Sequence, residues 1–382
     1  MNKTISPSTA ASIATRVYDI RKSKGFEGVF HNDFINNFKI TNSQIQGISG
    51  GVINQILNRS TGFALTAEGV SPQFKNHHII GIRGTKFSSF ADWLTNANVA
   101  VTLGPKNLEV HSGFQKAFSS MQSSFNQYVT QHKPHCLHVV GHSLGGAIAE
   151  LTAIWASERG LATKLYTFGA PRVVLQNSVH RASTNIEHYR VTHGADPLPN
   201  VPVWPFTHTV GEYQTAMNGG AFFSLGAHSM AESAPGYVNT VNAYKDYSSM
   251  GAALKTQHYK HTVLKYEQRH NASFSQRWQQ IITDALVTLL KKTGQYALIV
   301  AQASASVGLS FYDILARCLH ETIVKSKEIA EELRGLLGHM LVFSGKRNHV
   351  VKGMSAKFIR WVLELMIKTL YTTAKQAIEL AF

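Results

Sequence analysis

The stretch Leu137-His-Val-Val-Gly141-His142-Ser143-Leu144-Gly145-Gly146-Ala147 decides how the chain is read. A β-rich run, Leu137 to Val140, meets a Gly-x-Ser-x-Gly turn, and a helix-like segment, Ala147 to Ser157, follows. A strand, a sharp turn and a helix in that order make a nucleophile elbow, which holds a serine in a strained backbone conformation with its hydroxyl exposed. Glycine is needed at 141 and 145 because side chains there would collide with the neighbouring strand and helix. The following helix aims its N-terminus at the serine and favours negative charge beside it. Three residues each near 7% abundance give this pattern by chance in about one chain of this size in eight. The flanking strand and helix therefore carry more weight than the motif.

Working outward, strands alternate with helices on both sides of the elbow. Thr9 to Lys22 reads as a first helix with Ala11, Ile13, Ala14, Val17, Tyr18 and Ile20 on its buried side. Phe26 to Gly62 is mixed, with Gly47, Gly50 and Gly51 marking turns. Phe63 to Glu68 alternates like a strand. His78-Ile-Ile-Gly-Ile-Arg83 has the continuous apolar form of a strand buried on both faces, and ends in Gly84-Thr85, where backbone N–H groups come free. Val110-His-Ser-Gly-Phe114 turns into a helix running to about Gln131. After the elbow unit, Lys164 to Phe168 and Glu187 to Val191 are further strands, the second ending in Thr192-His193-Gly194-Ala195-Asp196-Pro197. This alternation implies an α/β sheet covered on both faces, with function at the carboxyl ends of the strands.

Beyond about Lys245 the pattern changes to amphipathic helices, over Ser275–Lys292, Phe311–Leu337 and Ser355–Phe382. The expected organisation is residues 1–245 as an α/β unit and residues 246–382 as an all-α region. At 382 residues, with 44% apolar and 15% charged residues, the chain is globular and long enough for two domains. Its formal charge is +15, and 19 Lys/Arg against 10 Asp/Glu from Lys245 onward put +9 of that in the helical part. Such a balance suits acidic partners: nucleic acid, anionic lipid surfaces or acidic proteins. Cys136 and Cys318 alone give no disulfide framework and no zinc spacing, so Cys136 reads as a buried thiol and no metal is expected. Met1 to Ile20 lacks the apolar run of a signal peptide, and no window reaches eighteen uninterrupted apolar residues. The expectation is a chain that stays in the cytoplasm or leaves by a signal-independent route.

A serine nucleophile needs a base and a group to orient that base. Where the chain order is Ser, Asp/Glu, His, the acid follows the elbow. Asp196, in a Pro-rich turn after a strand, suits a rigid carboxylate. Among 19 histidines the candidates downstream of Asp196 are His208, His228, His258, His261 and later ones. His228, in a loop near the end of the α/β part, is the choice. His208 leads into a strand-like segment and reads as structural, and His142 as a packing residue pointing away from the serine.

Six segments occur in order: Ile82-Arg83-Gly84-Thr85, Asp92-Trp93-Leu94, Val110–Phe114, Gly141–Gly146, Thr167–Arg172 and Val191–Pro197. Together they resemble the class 3 lipases, whose best-known members are fungal triacylglycerol lipases, over roughly residues 10 to 240. The resemblance implies an α/β-hydrolase fold, here with a C-terminal all-α extension, and hydrolysis of lipid carboxylic esters by Ser143, Asp196 and His228 without a cofactor. It implies oxyanion-hole amides at Thr85 and Leu144, and a lid over Lys86–Asn98 carrying Phe87, Phe90, Trp93 and Leu94. One departure concerns the aromatic that the family places a few residues after the histidine; here Tyr237 comes nine later. The basic charge favours an anionic phospholipid surface as partner over neutral oil, and with a lipase-like chain no nucleic-acid partner is expected. The chain also resembles, more weakly, the antibacterial lipase effectors of type VI secretion, which implies a neutralising immunity protein as a further partner. The rival reading is a membrane- or partner-binding protein on a hydrolase-like scaffold.

Overall fold

Parallel strands in the middle of a sheet must be apolar on both faces, and the residues around the elbow meet that demand. The computed structural model describes residues 3–21, 30–47, 61–84, 101–210, 213–217, 222–253, 263–305, 311–323 and 326–381. Among these, eleven strands form two sheets: β1 (Phe38–Gly47), β2 (Thr61–Gly69), β3 (His77–Ile82), β4 (Val101–Leu103), β5 (Glu109–His111), β6 (Cys136–His142), β7 (Ala162–Phe168), β8 (Val174–Leu175), β9 (Ile186–His193), β10 (Phe206–Thr207) and β11 (Tyr213–Met217). The large sheet has the order β1-β2-β3-β6-β7-β9-β11 and the small one β10-β8-β5-β4. From β3 to β11 every neighbouring pair is parallel, while β1 and β2 form an antiparallel edge. Every residue of β3 and of β6 is buried.

Helices cover both faces. Helix α1 (Pro7–Arg16), capped by the Ser6 hydroxyl, packs on one face through Ile13, and a Cβ on Gly81 of β3 would come within 2.9 Å of both Ile13 and Val17. Its apolar cluster includes Phe34, Phe38, Tyr166, Phe168 and Tyr237. Helices α2 (Ser112–His132) and α3 (Leu144–Glu158) cover the other face through Phe118, Phe125 and Trp155. The parallel sheet, the elbow and the two-sided helix cover define an α/β-hydrolase fold with a helical C-terminal part.

The helical part holds α4 (Gln276–Lys292), α5 (Tyr296–Ala305), α6 (Phe311–Ile323), α7 (Lys327–Phe343) and α8 (Ala356–Ala381). The helix expected over Phe311–Leu337 is two helices, because the Ser326 hydroxyl accepts the Ile329 N–H at 3.4 Å and caps a new one. The strand β1 and the small sheet have no counterpart in the sequence reading; β1 pairs with the neighbouring β2, while the small sheet draws β8 and β10 in from beyond the elbow. The apolar cluster around α2 and α3 runs without a break into α4, α6, α7 and α8. Trp204 joins the two parts, with its ring 5.6 Å from that of Phe311 and 6.3 Å from that of Tyr296. Helix α8 packs against the turns Leu198–Asn200 and Leu225–His228, which follow the sheet's carboxyl edge.

Trp204→Ala should therefore destabilise the whole chain by about 3–5 kcal/mol, the usual result of emptying an aromatic site. Denaturant unfolding followed separately by far-ultraviolet circular dichroism and by near-ultraviolet signals should give one coincident transition at lower midpoint. Two separated transitions, with only the later one shifted, would contradict a shared core.

Candidate active site

Strand β6 ends at His142, and Ser143 turns the chain into α3 with φ +59° and ψ −133°. A positive φ is costly for a residue with a Cβ and persists only where the surroundings enforce it. Here the Ser143 N–H donates to the Phe168 carbonyl at 3.0 Å, and the Ser143 carbonyl accepts from Gly146 at 2.9 Å. The glycines do what the motif requires. A Cβ on Gly141 would lie 2.3 Å from the Gly145 carbonyl oxygen, and one on Gly145 would lie 2.4 Å from the Ile82 carbonyl oxygen. The first contact lets the helix start beside its own strand, and the second lets it meet the end of β3.

Asp196 lies in the turn after β9, wholly buried. Its Oδ1 accepts from the Leu198 N–H at 2.9 Å, which fixes the carboxylate plane. Its Oδ2 accepts from His228 Nδ1 at 2.9 Å and from the Tyr237 hydroxyl at 2.8 Å. On its other side, His228 Nε2 lies 2.9 Å from Ser143 Oγ. The carboxylate can only accept, so the imidazole carries its proton on Nδ1 and offers Nε2 as acceptor to the serine hydroxyl. The three residues, drawn from the ends of β6 and β9 and from the turn Leu225–His228, form one unbroken hydrogen-bonded chain. Such a chain can take a proton from a serine hydroxyl and stabilise the imidazolium that results.

The loop carrying His228 is held by two more histidines. His142 Nε2 donates to the His228 carbonyl at 2.9 Å, its Nδ1 accepts from the Tyr18 hydroxyl at 2.9 Å, and its ring stacks on that of His228 at 4.7 Å. His193 Nδ1 donates to the Ala227 carbonyl at 2.7 Å, and its Nε2 accepts from the Thr240 hydroxyl at 2.9 Å. Burial lowers the pKa of both, so both remain neutral and keep one donor and one acceptor nitrogen. His142 thus points away from the serine but does more than fill space. Tyr237 stacks on His193 at 3.9 Å and accepts the His193 backbone N–H at 3.1 Å while donating to Asp196. Sequence reading noted Tyr237 only for its spacing; its link to Asp196 arises from a short helix, Tyr237–Val241, folding back on β9.

Leu144 opens α3, where a backbone N–H has no partner within the helix. Gly84 brings the end of β3 against the elbow, since a Cβ there would lie 3.3 Å from the Ser143 Cβ. Thr85 and the lid residues Phe87, Phe90, Trp93 and Leu94 lie outside the described residues, as do His258 and His261. His208 Nε2 donates to the Pro199 carbonyl at 2.9 Å, a structural contact. Beside the elbow opens a cavity of about 480 Å³ whose lining includes Tyr18, Arg83, Gly84, His142, Ser229 and Ala381.

The fold and this constellation define the class of the α/β-hydrolases with a Ser-His-Asp chain. Residues 79–206 match the family model of the class 3 lipases, a segment that holds Ser143 and Asp196 but ends before His228. The chain is similar to secreted mono- and diacylglycerol lipase 1 of Fusarium solani, 33% identical over 177 residues, or 42% of this chain and 50% of that one. It is similar to a lipase of Rhizomucor miehei, 33% identical over 142 residues, covering 33% of this chain and 39% of that one. Toxin TseL of Vibrio cholerae is 38% identical over 98 residues, 25% of this chain and 15% of that one. The chain thus spans half or less of the length of these curated relatives. Among solved structures, the Rhizomucor miehei lipase propeptide complex aligns at 23% identity over 56% of this chain and 68% of that one, with a TM-score of 0.41. The resemblance to class 3 lipases rests on the matched segment.

Tyr237→Phe removes one donor to the Asp196 carboxylate and the acceptor of a buried backbone N–H. It should cost about 1–3 kcal/mol of stability, as expected for a charge-assisted hydrogen bond and an orphaned donor. Chemical denaturation of the purified variant measures it; an unchanged midpoint would show that this hydroxyl carries no weight.

Proposed function

We propose that the protein is a serine lipase or phospholipase that hydrolyses carboxylic esters of lipids at a membrane surface. The observation that carries this reading is the continuous chain from Asp196 Oδ2 through His228 to Ser143 Oγ, with 2.9 Å at each step. The names of the curated relatives, lipases of the same family segment, support the substrate class.

The chemistry follows from the geometry. His228 Nε2 takes the Ser143 proton as Oγ attacks the acyl carbonyl, and the π electrons of that carbonyl move to its oxygen. The backbone N–H of Leu144, with Thr85 as second donor, binds the oxyanion, an effect worth about 3–4 kcal/mol per donor. The tetrahedral intermediate collapses, and His228 passes its proton to the departing alcohol. Water, deprotonated by His228, then attacks the acyl-enzyme and releases the fatty acid and free Ser143. Asp196 holds the imidazole in the productive tautomer throughout. Ser143 and His228 are wholly buried, so substrate entry needs a cover to open, the role assigned to Lys86–Asn98.

A preference for anionic phospholipid is supported by the surface between α7 and α8. Lys346, Arg347, Lys352 and Lys357 are exposed there, along with Val350 at 47% and Trp361 at 37%. Basic side chains beside exposed apolar ones fit an anionic interface, each cation adding about 1 kcal/mol near such a surface. Among the described residues no helix is long and apolar enough to cross a membrane. A toxin role, with a neutralising partner protein, is the second reading, favoured by the segment similar to Toxin TseL.

Ser143→Ala and His228→Ala should each abolish hydrolysis of a short p-nitrophenyl ester, by comparable factors, because such residues act as a unit. His208→Ala should retain turnover. Under the toxin reading, wild-type protein directed to a bacterial envelope stops growth and Ser143→Ala does not. Wild-type turnover by Ser143→Ala would end the serine-nucleophile reading, and absence of hydrolysis by the wild type would leave the binding-scaffold reading in its place. Reversing Lys346, Arg347 and Lys352 to Glu should keep short-ester turnover while sharply reducing sedimentation with phosphatidylglycerol vesicles at low salt. Equal wild-type binding to anionic and phosphatidylcholine vesicles would end the membrane assignment.

A further inference from the structure

At the opposite end of the central strands, three donor side chains from two strands are brought together. The parallel register sets His77 of β3 beside Cys136 of β6, and His138 follows two residues along on the same face. His77 Nδ1 lies 2.9 Å from His138 Nε2, and Cys136 Sγ lies 3.9 Å from the same nitrogen. All three donor atoms fall within 4.8 Å of one another, and all three residues are buried. Donors bonded at about 2.0–2.3 Å to a common metal ion stand roughly 3.3–3.8 Å apart, so shifts of about half an ångström to one ångström would place these three around one centre.

The surroundings resemble those of a metal-binding imidazole. His138 Nδ1, on the far side of its ring, lies 3.0 Å from the Tyr166 hydroxyl, which in turn accepts the Ile5 N–H at 3.4 Å. An outer partner of this kind fixes the ring and the tautomer of a ligating histidine. Phe74 stands edge-on to both imidazoles and Phe38 to that of His138, making an apolar wall. A surface cleft lined in part by Thr4, Ile5, Phe38 and Phe74 lies on the outer side of that wall.

We propose that His77, Cys136 and His138 form a three-coordinate site for one copper(I) ion. Thiolate and imidazole together suit a soft metal, and three donors, with no fourth grouped with them among the described residues, suit copper(I) better than zinc, which takes four. Charge favours the same choice. The buried Lys164 ammonium, paired with Glu187, acts on all three side chains. A monovalent ion bound by one thiolate adds no net charge beside it, whereas a divalent ion would leave +1 in a buried place. Imidazole binds a metal as the neutral ring and cysteine as the thiolate, so the ion must displace the thiol proton. On binding, the S–H bond breaks, the Cu–S bond forms and the proton goes to solvent. The proton between the two imidazoles moves to the outer nitrogen of the ring that carries it. No oxidation state changes. Cys136 and His142 stand at opposite ends of β6, roughly 20 Å apart at about 3.3 Å per residue, so the site is separate from the candidate active site.

The test is anaerobic titration of the reduced full-length protein with copper(I) against a chromogenic copper(I) chelator. Wild type should withdraw one equivalent, and Cys136→Ser and His138→Gln should not. Cys318→Ser, which removes the other cysteine, should retain it, and Tyr166→Phe should weaken it about 10- to 100-fold. X-ray absorption at the copper edge should show one sulfur and two nitrogen neighbours. Circular dichroism checks that the variants are folded, with His77→Gln as a second route should Cys136→Ser be unstable. The proposal fails if wild type withdraws no equivalent, if Cys136→Ser withdraws the same one, or if the equivalent follows Cys318. A zinc equivalent that depends on Cys136 at matched free metal would overturn the assignment to a monovalent ion.

Discussion

The close approach of α3 to the end of β3, backbone against backbone at Gly145 and Ile82, is the contact on which the rest of the site depends. It leaves no room for a side chain at 145, and it forces the chain to reverse within one residue of β6. That residue is Ser143, whose positive φ is the local cost of the reversal. Parallel pairing of β6 with both β3 and β7 holds the turn from either side, so the strain cannot relax by moving a strand. A serine so placed sits at the start of a helix and at the carboxyl edge of the sheet, where the turns after β9 and the Leu225–His228 turn can reach it.

The acid and base are then held by groups that must stay neutral. His142 and His193 fix the carbonyls of His228 and Ala227, and Tyr237 ties Asp196 to the backbone of His193. A neutral imidazole offers one donor and one acceptor, which is what each of these positions uses. Burial enforces that state on both histidines.

The helical part is more than an attachment. Its apolar residues continue the core of the sheet, and α8 lies against the turns that follow Asp196 and carry His228. The Tyr371 hydroxyl of α8 bonds the backbone of Val203, and Ala381 reaches the cavity beside His142. Helix α8 thus braces the loops that hold two members of the hydrogen-bonded chain, while its first turns and the segment before it present the basic surface.

Local pattern made much of this legible in the sequence. The apolar run at His78–Arg83 reads as a strand buried on both faces, and Gly141-x-Ser143-x-Gly145 between the β-rich run Leu137–Val140 and a helix-like segment reads as a tight strand-to-helix turn, because those signals depend on neighbours in the chain. The C-terminal helical stretches follow from their 3.6-residue period, though the helix Tyr296–Ala305 lies outside the stretches so read and Phe311–Leu337 divides into two helices. What lay beyond reach depended on which strands pair and in what register. The contact of Tyr237 with Asp196, the histidine brackets on the His228 loop and the brace from α8 join residues tens to hundreds of positions apart. The meeting of His77 with Cys136 and His138 is the clearest case. Two cysteines far apart in the chain carry no metal signature, and only the parallel register of β3 against β6, fixed by burial of both strands, sets a thiol and two imidazoles within reach of a single ion.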